Sequence, residues 1–125
     1  MRFLASVITG HGIGRQLGYP TLNFAVPTPL DLGEGVFSCR VLLAGDWQDA
    51  VLFFGRRATF ADAELSLEVH VLDWAENMQI TQTEIEIFSK IREPQKFSSR
   101  DELIAAIAQD CQQARNTLAH RADNL

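Results

Sequence analysis

Three short stretches of this chain carry residue types whose order and spacing suit chemistry. The first is Gly10-His-Gly-Ile-Gly-Arg-Gln-Leu-Gly-Tyr-Pro-Thr-Leu-Asn23. Its glycines at 10, 12, 14 and 18 let the backbone take positive φ and come close to a ligand. Amide groups in such a loop can line an anion, and Arg15 adds a fixed positive charge. A flexible hairpin would use the same glycines, and the spacing fits neither the Walker A nor the dinucleotide-binding pattern. Pro20 favours an extended Tyr19, and in extended chain Thr21 and Asn23, two apart, project to one side. A hydroxyl beside an amide oxygen suits Mg²⁺ that keeps its waters and takes its negative ligands from phosphates. The competing reading is a Thr/Asn turn bonded to its own backbone.

The second stretch is Ser66-Leu-Glu-Val-His-Val-Leu72. Leu67, Val69 and Val71 form one face of a strand, while Glu68 and His70 share the other with Leu72. A mid-strand carboxylate is unusual, because burial is costly unless the group is paired. Within hydrogen-bond reach of an alcohol it can act as a general base; otherwise it is a solvent-facing Glu on a half-exposed sheet. His70 reads as a structural or rim residue. The third stretch is Lys90-Ile-Arg-Glu-Pro-Gln-Lys-Phe97. Here Arg92 can hold a phosphate or a polar ring edge, and Phe97 can stack on a flat ligand or simply pack.

The elements that must position these residues are mostly strands. Short runs rich in β-branched and aromatic residues predict strands at Phe3–Thr9, Thr21–Phe24, Val36–Leu43, Trp47–Phe54, Leu65–Leu72 and Thr83–Ile91. In Val36–Leu43, Phe37, Cys39, Val41 and Leu43 share one face, with Ser38 and Arg40 on the other. Ala44-Gly45-Asp46 reads as a turn. Strands this close together with no helix between them predict an antiparallel barrel or sandwich. After Phe97 the pattern turns helical. Ser99-Arg-Asp-Glu102 has the form of a capping box, and Leu103, Ile107, Cys111, Ala114 and Leu118 make one apolar stripe. That helix, about residues 99–119, should pack outside a barrel spanning about residues 3–92 and carry no chemistry.

Composition bounds the function. The 125 residues are 46% hydrophobic, which suits one globular domain, residues 1–125, rather than a disordered chain. Eleven basic residues against 16 acidic ones give a net charge of −5, the wrong sign for a phosphate-backbone binder, so nucleic acid is not an expected partner. No apolar run approaches the ~20 residues that span a bilayer, and Phe3–Ile8 lacks the pattern of a signal peptide. Cys39 and Cys111 have neither metal nor CxxC spacing and read as buried thiols in a reducing compartment. A cytoplasmic monomer away from membranes is the expectation.

Taken in order, the segments resemble the riboflavin kinase (flavokinase) domain, which in many bacteria is the C-terminal half of the bifunctional FAD-synthesis enzyme. The resemblance runs from Ser6 to about Arg115. Gly10–Asn23 is similar to the family's glycine loop and Pro-Thr-Ala-Asn motif, and Gly35-Val36-Phe37 to its Gly-Val-Tyr strand start. Gly55-Arg-Arg-Ala-Thr-Phe60 resembles Gly-x-Arg-Pro-Thr-Phe, and Leu67-Glu68-Val69-His70 the Leu-Glu-x-His strand. Ile91-Arg92 through Phe97 resembles Leu-Arg-x-x-x-x-Phe, and Asp110 falls where the family's helix usually carries an aspartate.

The resemblance implies a mainly β fold: a six-stranded antiparallel, Greek-key, split-barrel-like barrel with its C-terminal helix outside. It also implies Mg²⁺-dependent transfer of the γ-phosphate of ATP to the ribityl 5′-hydroxyl of riboflavin, giving FMN and ADP. By that resemblance Thr21 and Asn23 ligate Mg²⁺ and contact the nucleotide phosphates. Gly10 and Arg15 lie in the phosphate-covering flap, Glu68 is the base, and Arg92 and Phe97 border the flavin. The chain departs from the family at Leu22 (Ala), Phe53 (Asn), Ala58 (Pro) and Gln79-Ile80 (Tyr-Gly), the last where the family's tyrosine borders the adenine nucleotide. These departures leave two other readings open. One is a catalytically weak or inactive flavin- or nucleotide-binding module on the same barrel; the other is a different small-alcohol kinase whose pocket Phe53 reshapes.

Overall fold

Alternating apolar side chains along antiparallel strands produce the core, and closure of the sheet removes its edges. The computed structural model describes residues 1–9, 17–56, 65–73 and 79–123. In chain order the elements are β1 (Arg2–Ile8), β2 (Leu22–Phe24), β3 (Gly35–Leu43), β4 (Asp46–Arg56), β5 (Leu65–Val71), β6 (Gln82–Arg92) and α1 (Arg100–Asp123). The strands close into a barrel in the order β1-β2-β5-β4-β3-β6, and every pairing is antiparallel. β3, β4 and β5 form a meander, and β6 returns beside β3, which is the Greek-key arrangement expected.

The barrel interior is filled by alternate residues. Phe37, Cys39, Val41 and Leu43 of β3 point inward as predicted and meet Leu52 and Phe54 of β4, Leu67, Val69 and Val71 of β5, and Ile85 of β6. The β3–β4 turn is tighter than the sequence suggested. Ala44 (φ 51°) and Gly45 (φ 85°) form a two-residue loop, and Asp46 already belongs to β4. Positive φ at both central positions is the hairpin geometry that matches strand twist.

β6 breaks the alternation. Its register against β3 shifts twice, between Val36 and Phe37 and between Ser38 and Cys39, so Ile91 and Phe88 are skipped on the β6 side. Both skipped side chains join the cluster beneath α1, whereas Ile85 and Ile87 stay in the barrel interior. Glycine at 35 permits the close approach of β3 to this bulged segment. A Cβ there would lie 2.6 Å from Lys90 Cε and 3.0 Å from the Arg92 carbonyl oxygen.

α1 packs on the outside of β3, β4 and β6. Cys111, Ala114 and Leu118 are buried against Val36, Val51 and Leu72, with Ile107 partly buried beside them. The N-cap forms with one difference from the simple box. Ser99 Oγ accepts from the Glu102 amide at 3.2 Å, but the Glu102 carboxylate accepts from the amide and hydroxyl of Ser98, one residue earlier. The helix continues to Asp123, beyond the predicted end, because no Gly or Pro interrupts the stretch after Leu118.

Both cysteines are free and buried, Cys39 inside the barrel and Cys111 beneath α1. Burial raises both thiols, Cys111 to about 11, which keeps them protonated and unreactive. Among the described residues no helix is long and apolar enough to cross a membrane. Leu52→Ala, at a fully buried position in the barrel, should cost about 3 kcal/mol. Urea unfolding should show this as a lower midpoint with an unchanged slope.

Candidate active site

β2 is only three residues long, yet it brings two of the three stretches together. It pairs with β5 so that Leu22 faces Val69, Asn23 faces Glu68 and Phe24 faces Leu67. Residues opposite one another share a face, so Leu22, Val69, Phe24 and Leu67 serve the interior while Asn23 and Glu68 meet on the outer wall. Phe53 of β4 faces Glu68 from its other side. Glu68 is only 6% exposed, which overturns the reading of a solvent-facing carboxylate. Its Oε1 accepts a hydrogen bond from Thr21 Oγ1 at 3.5 Å. The turn reading of Thr21–Asn23 fails as well, because Asn23 lies in a paired strand.

The outer wall continues this row. Asn23 of β2, Glu68 of β5, Phe53 of β4, Val36 of β3 and Arg92 of β6 are successive cross-strand partners. Glu68 and Arg92 are thus three strand spacings apart, about 14 Å measured along the wall. Phe53 and Val36, between them, belong to the apolar cluster beneath α1. One row therefore carries a carboxylate with neutral oxygen donors at one end, an apolar middle, and a guanidinium at the other end.

Arg92 is fixed by a residue that the sequence reading gave no role in the site. Its Nε and Nη2 donate to the two carboxylate oxygens of Asp110 on α1, each at 2.8 Å, and Nη1 donates to the Glu93 carbonyl at 3.2 Å. The guanidinium carbon lies 5.6 Å from the centre of the Phe97 ring. Arg92, Phe97 and Asp110 form one unit, and the helix, read from sequence as purely architectural, supplies its anchor. Asp110 flanks the apolar stripe at Cys111 and is 5% exposed; in the sequence its only mark is the match to the aspartate of the family's helix, which gives it no partner.

His70, two residues beyond Glu68 on the same face, places Nδ1 2.7 Å from the Pro20 carbonyl oxygen. Gly10 and Arg15 lie outside the described residues, as do Arg57–Phe60 of the third family motif. Of the departing residues, Ile80 packs against the barrel interior and Phe53 against the cluster beneath α1, so both have packing roles. Among the described residues no group of three or more His, Cys, Asp or Glu side chains could hold a metal. A cation at Thr21 and Asn23 would instead draw its negative ligands from a bound phosphate, as a hard, well-hydrated ion does.

Known proteins resemble this chain over most of its length. A family model described as Flavokinase: Riboflavin kinase matches residues 1–118. A bifunctional riboflavin kinase/FMN adenylyltransferase of Haemophilus influenzae is 33% identical over 115 residues, covering 91% of this chain and 37% of that protein. The protein of the same name from Escherichia coli K12 is 36% identical over 105 residues, covering 83% of this chain and 34% of its own length. The chain thus spans about a third of the length of these relatives. A crystal structure described as a macrolide-efflux protein from Streptococcus pneumoniae superposes with a TM-score of 0.81 at 26% identity, covering 92% of this chain and 38% of that one.

The Asp110 anchor makes a stability prediction. Asp110→Ala removes a bidentate partner from a guanidinium that is itself largely covered, and should destabilise the fold by about 2 kcal/mol. Equilibrium unfolding in urea would measure this, and Asp110→Asn should lose less.

Proposed function

This chain belongs to the riboflavin kinase family, and we propose that it transfers the γ-phosphate of ATP to the ribityl 5′-hydroxyl of riboflavin, giving FMN and ADP. The observation that carries this reading is the convergence of a buried Glu68 with the Thr21 hydroxyl and, through strand register, with Asn23. Phosphoryl transfer asks little covalent work of a protein; it asks for positioning and for stabilisation of charge.

Each group has a task suited to its chemistry. Glu68 accepts the proton of the 5′-hydroxyl as that oxygen bonds to the γ-phosphorus and the bond to the β,γ-bridging oxygen breaks, releasing ADP. Thr21 orients the carboxylate by donating to it. Thr21 and Asn23 are neutral oxygen donors that fit Mg²⁺ already carrying phosphate and water ligands. When bound, the ion supplies neutralisation of the phosphate charge. Riboflavin carries a flat tricyclic ring on a five-carbon tail. The tail's hydroxyl would lie at Glu68, and the ring would border Arg92 and Phe97. Gly10 and Arg15, by their place in the glycine loop, would cover the phosphates.

The departures do not favour the alternative of an inactive binding module. Ile80 and Phe53 are used in packing, and the Thr21–Glu68 contact is intact with Phe53 opposite Glu68. The reading concerns phosphorylation alone; the adenylyltransferase activity in the relatives' names is not assigned to this chain.

Incubation with riboflavin, ATP and Mg²⁺ should yield FMN, measurable by chromatography; tight flavin binding without product would overturn the reading in favour of a binding module. Glu68→Gln keeps an acceptor for Thr21 but removes the basic oxygen. It should lower turnover by ~10²–10⁴ with flavin affinity nearly unchanged, and near-normal turnover would refute the base assignment. Thr21→Ala and Asn23→Ala should each raise the Mg²⁺ concentration for half-maximal rate. An unchanged metal titration in both would remove the ligand assignment.

A further inference from the structure

We infer that His70 is a positioning residue for the metal–nucleotide site, its Nδ1–H holding the Pro20 carbonyl so that Thr21 and Asn23 stay aligned with Glu68. This deepens the proposed function and rests on it. β2 and β5 pair as far as Leu22 opposite Val69. One step further in the same register would put Thr21 opposite His70, but there the chain leaves the sheet, and it is preceded by a proline that has no amide hydrogen.

At that point a side chain takes over from the backbone. His70 Nδ1 lies 2.7 Å from the Pro20 carbonyl oxygen. A carbonyl oxygen only accepts, so Nδ1 carries the hydrogen and donates it. Tyr19 meets the His70 ring edge-on, with centroids 5.4 Å apart and planes at 76°. Tyr19 is itself packed against the cluster beneath α1. Immediately upstream Gly18 has φ 88°, so the chain turns sharply just before the held peptide.

Thr21 is therefore tied on both sides, by His70 through the Pro20 carbonyl and by the ladder at Leu22. That matters because its hydroxyl reaches Glu68 at 3.5 Å, the long end of the hydrogen-bond range. A small displacement of the Pro20–Thr21 peptide would break this contact and misplace the Thr21 oxygen relative to Asn23. His70 touches none of the reacting atoms in this account; it acts through Pro20.

The side-chain geometry of His supplies a clean test. The amide nitrogen of Asn stands the same number of bonds from the backbone as Nδ1, whereas that of Gln reaches the place of Nε2. His70→Ala and His70→Gln should raise the ATP KM and the Mg²⁺ half-saturation about tenfold, the worth of one hydrogen bond, while riboflavin KM stays within about twofold. His70→Asn should return both to within about twofold of wild type. Calorimetric titration of Mg²⁺–ADP into each variant should follow the same order without any turnover. The ligand-free protein at alkaline pH should show the Nδ1–H tautomer by ¹⁵N NMR, and the Nε2–H tautomer would overturn the inference.

Equal losses in the Asn and Gln variants, or unchanged metal–nucleotide affinity in all of them, would reduce His70 to a packing role. Should His70→Ala not fold, the Asn and Gln pair decides. Wild-type FMN formation separates the two levels. Its absence overturns the proposed function and this inference with it, while an active wild type with unmoved variants overturns the inference alone.

Discussion

Asn23 faces Glu68 because β2 joins β5 at one register, and the meeting of Thr21, Asn23 and Glu68 at the outer wall follows from that pairing. Strand side chains alternate faces, so a slip of one residue would turn Asn23 toward the interior and Leu22 toward solvent. A three-residue strand has few ladder bonds with which to resist such a slip. The register is held instead by what the strand buries and what flanks it. Phe24 is 2% exposed in the barrel core, and the Ala25 amide donates to the Ser6 carbonyl at 2.9 Å, tying the exit of β2 to β1. At the entry, the His70 ring holds the Pro20 carbonyl. The hydrophobic core thus fixes the alignment of polar groups on the opposite side of the same wall.

The second constraint is desolvation. Glu68 and Asp110 are two of the few acidic side chains almost removed from water, and a carboxylate there must have partners. Asp110 is held by both forks of Arg92. That pair links α1 to the end of β6 and turns a packing helix into part of the proposed site. Glu68 accepts from Thr21 at 3.5 Å, and in the proposed reaction it is the group that takes up a proton.

Much of the scaffold was legible locally. The alternation in β3, the inward Leu67, Val69 and Val71, and the Ser99 cap are short-range patterns, and each depends on residues within a few positions of one another. The same local rules failed where tertiary contacts override them. On β6 the two bulges send Phe88 and Ile91 to the helix side while Ile87 stays inside, and a strict period of two cannot express that. Glu102 turned to Ser98 rather than closing the box on Ser99, a choice between neighbouring donors that the spacing does not decide.

For the site, the sequence by itself determined the chemistry on offer: a mid-strand carboxylate, a threonine and asparagine two apart after a proline, and an arginine shortly before a phenylalanine. Side-chain identity settles what each group can donate or accept. Whether Glu68 was buried, whether it met Thr21, and that Asp110 and His70 steady Arg92 and Pro20, only the tertiary structure decided. The partners in these contacts are separated by 47, 18 and 50 positions in the chain. Such contacts arise from barrel closure and helix docking, which bring distant segments to one wall and leave no local trace in the order of residues.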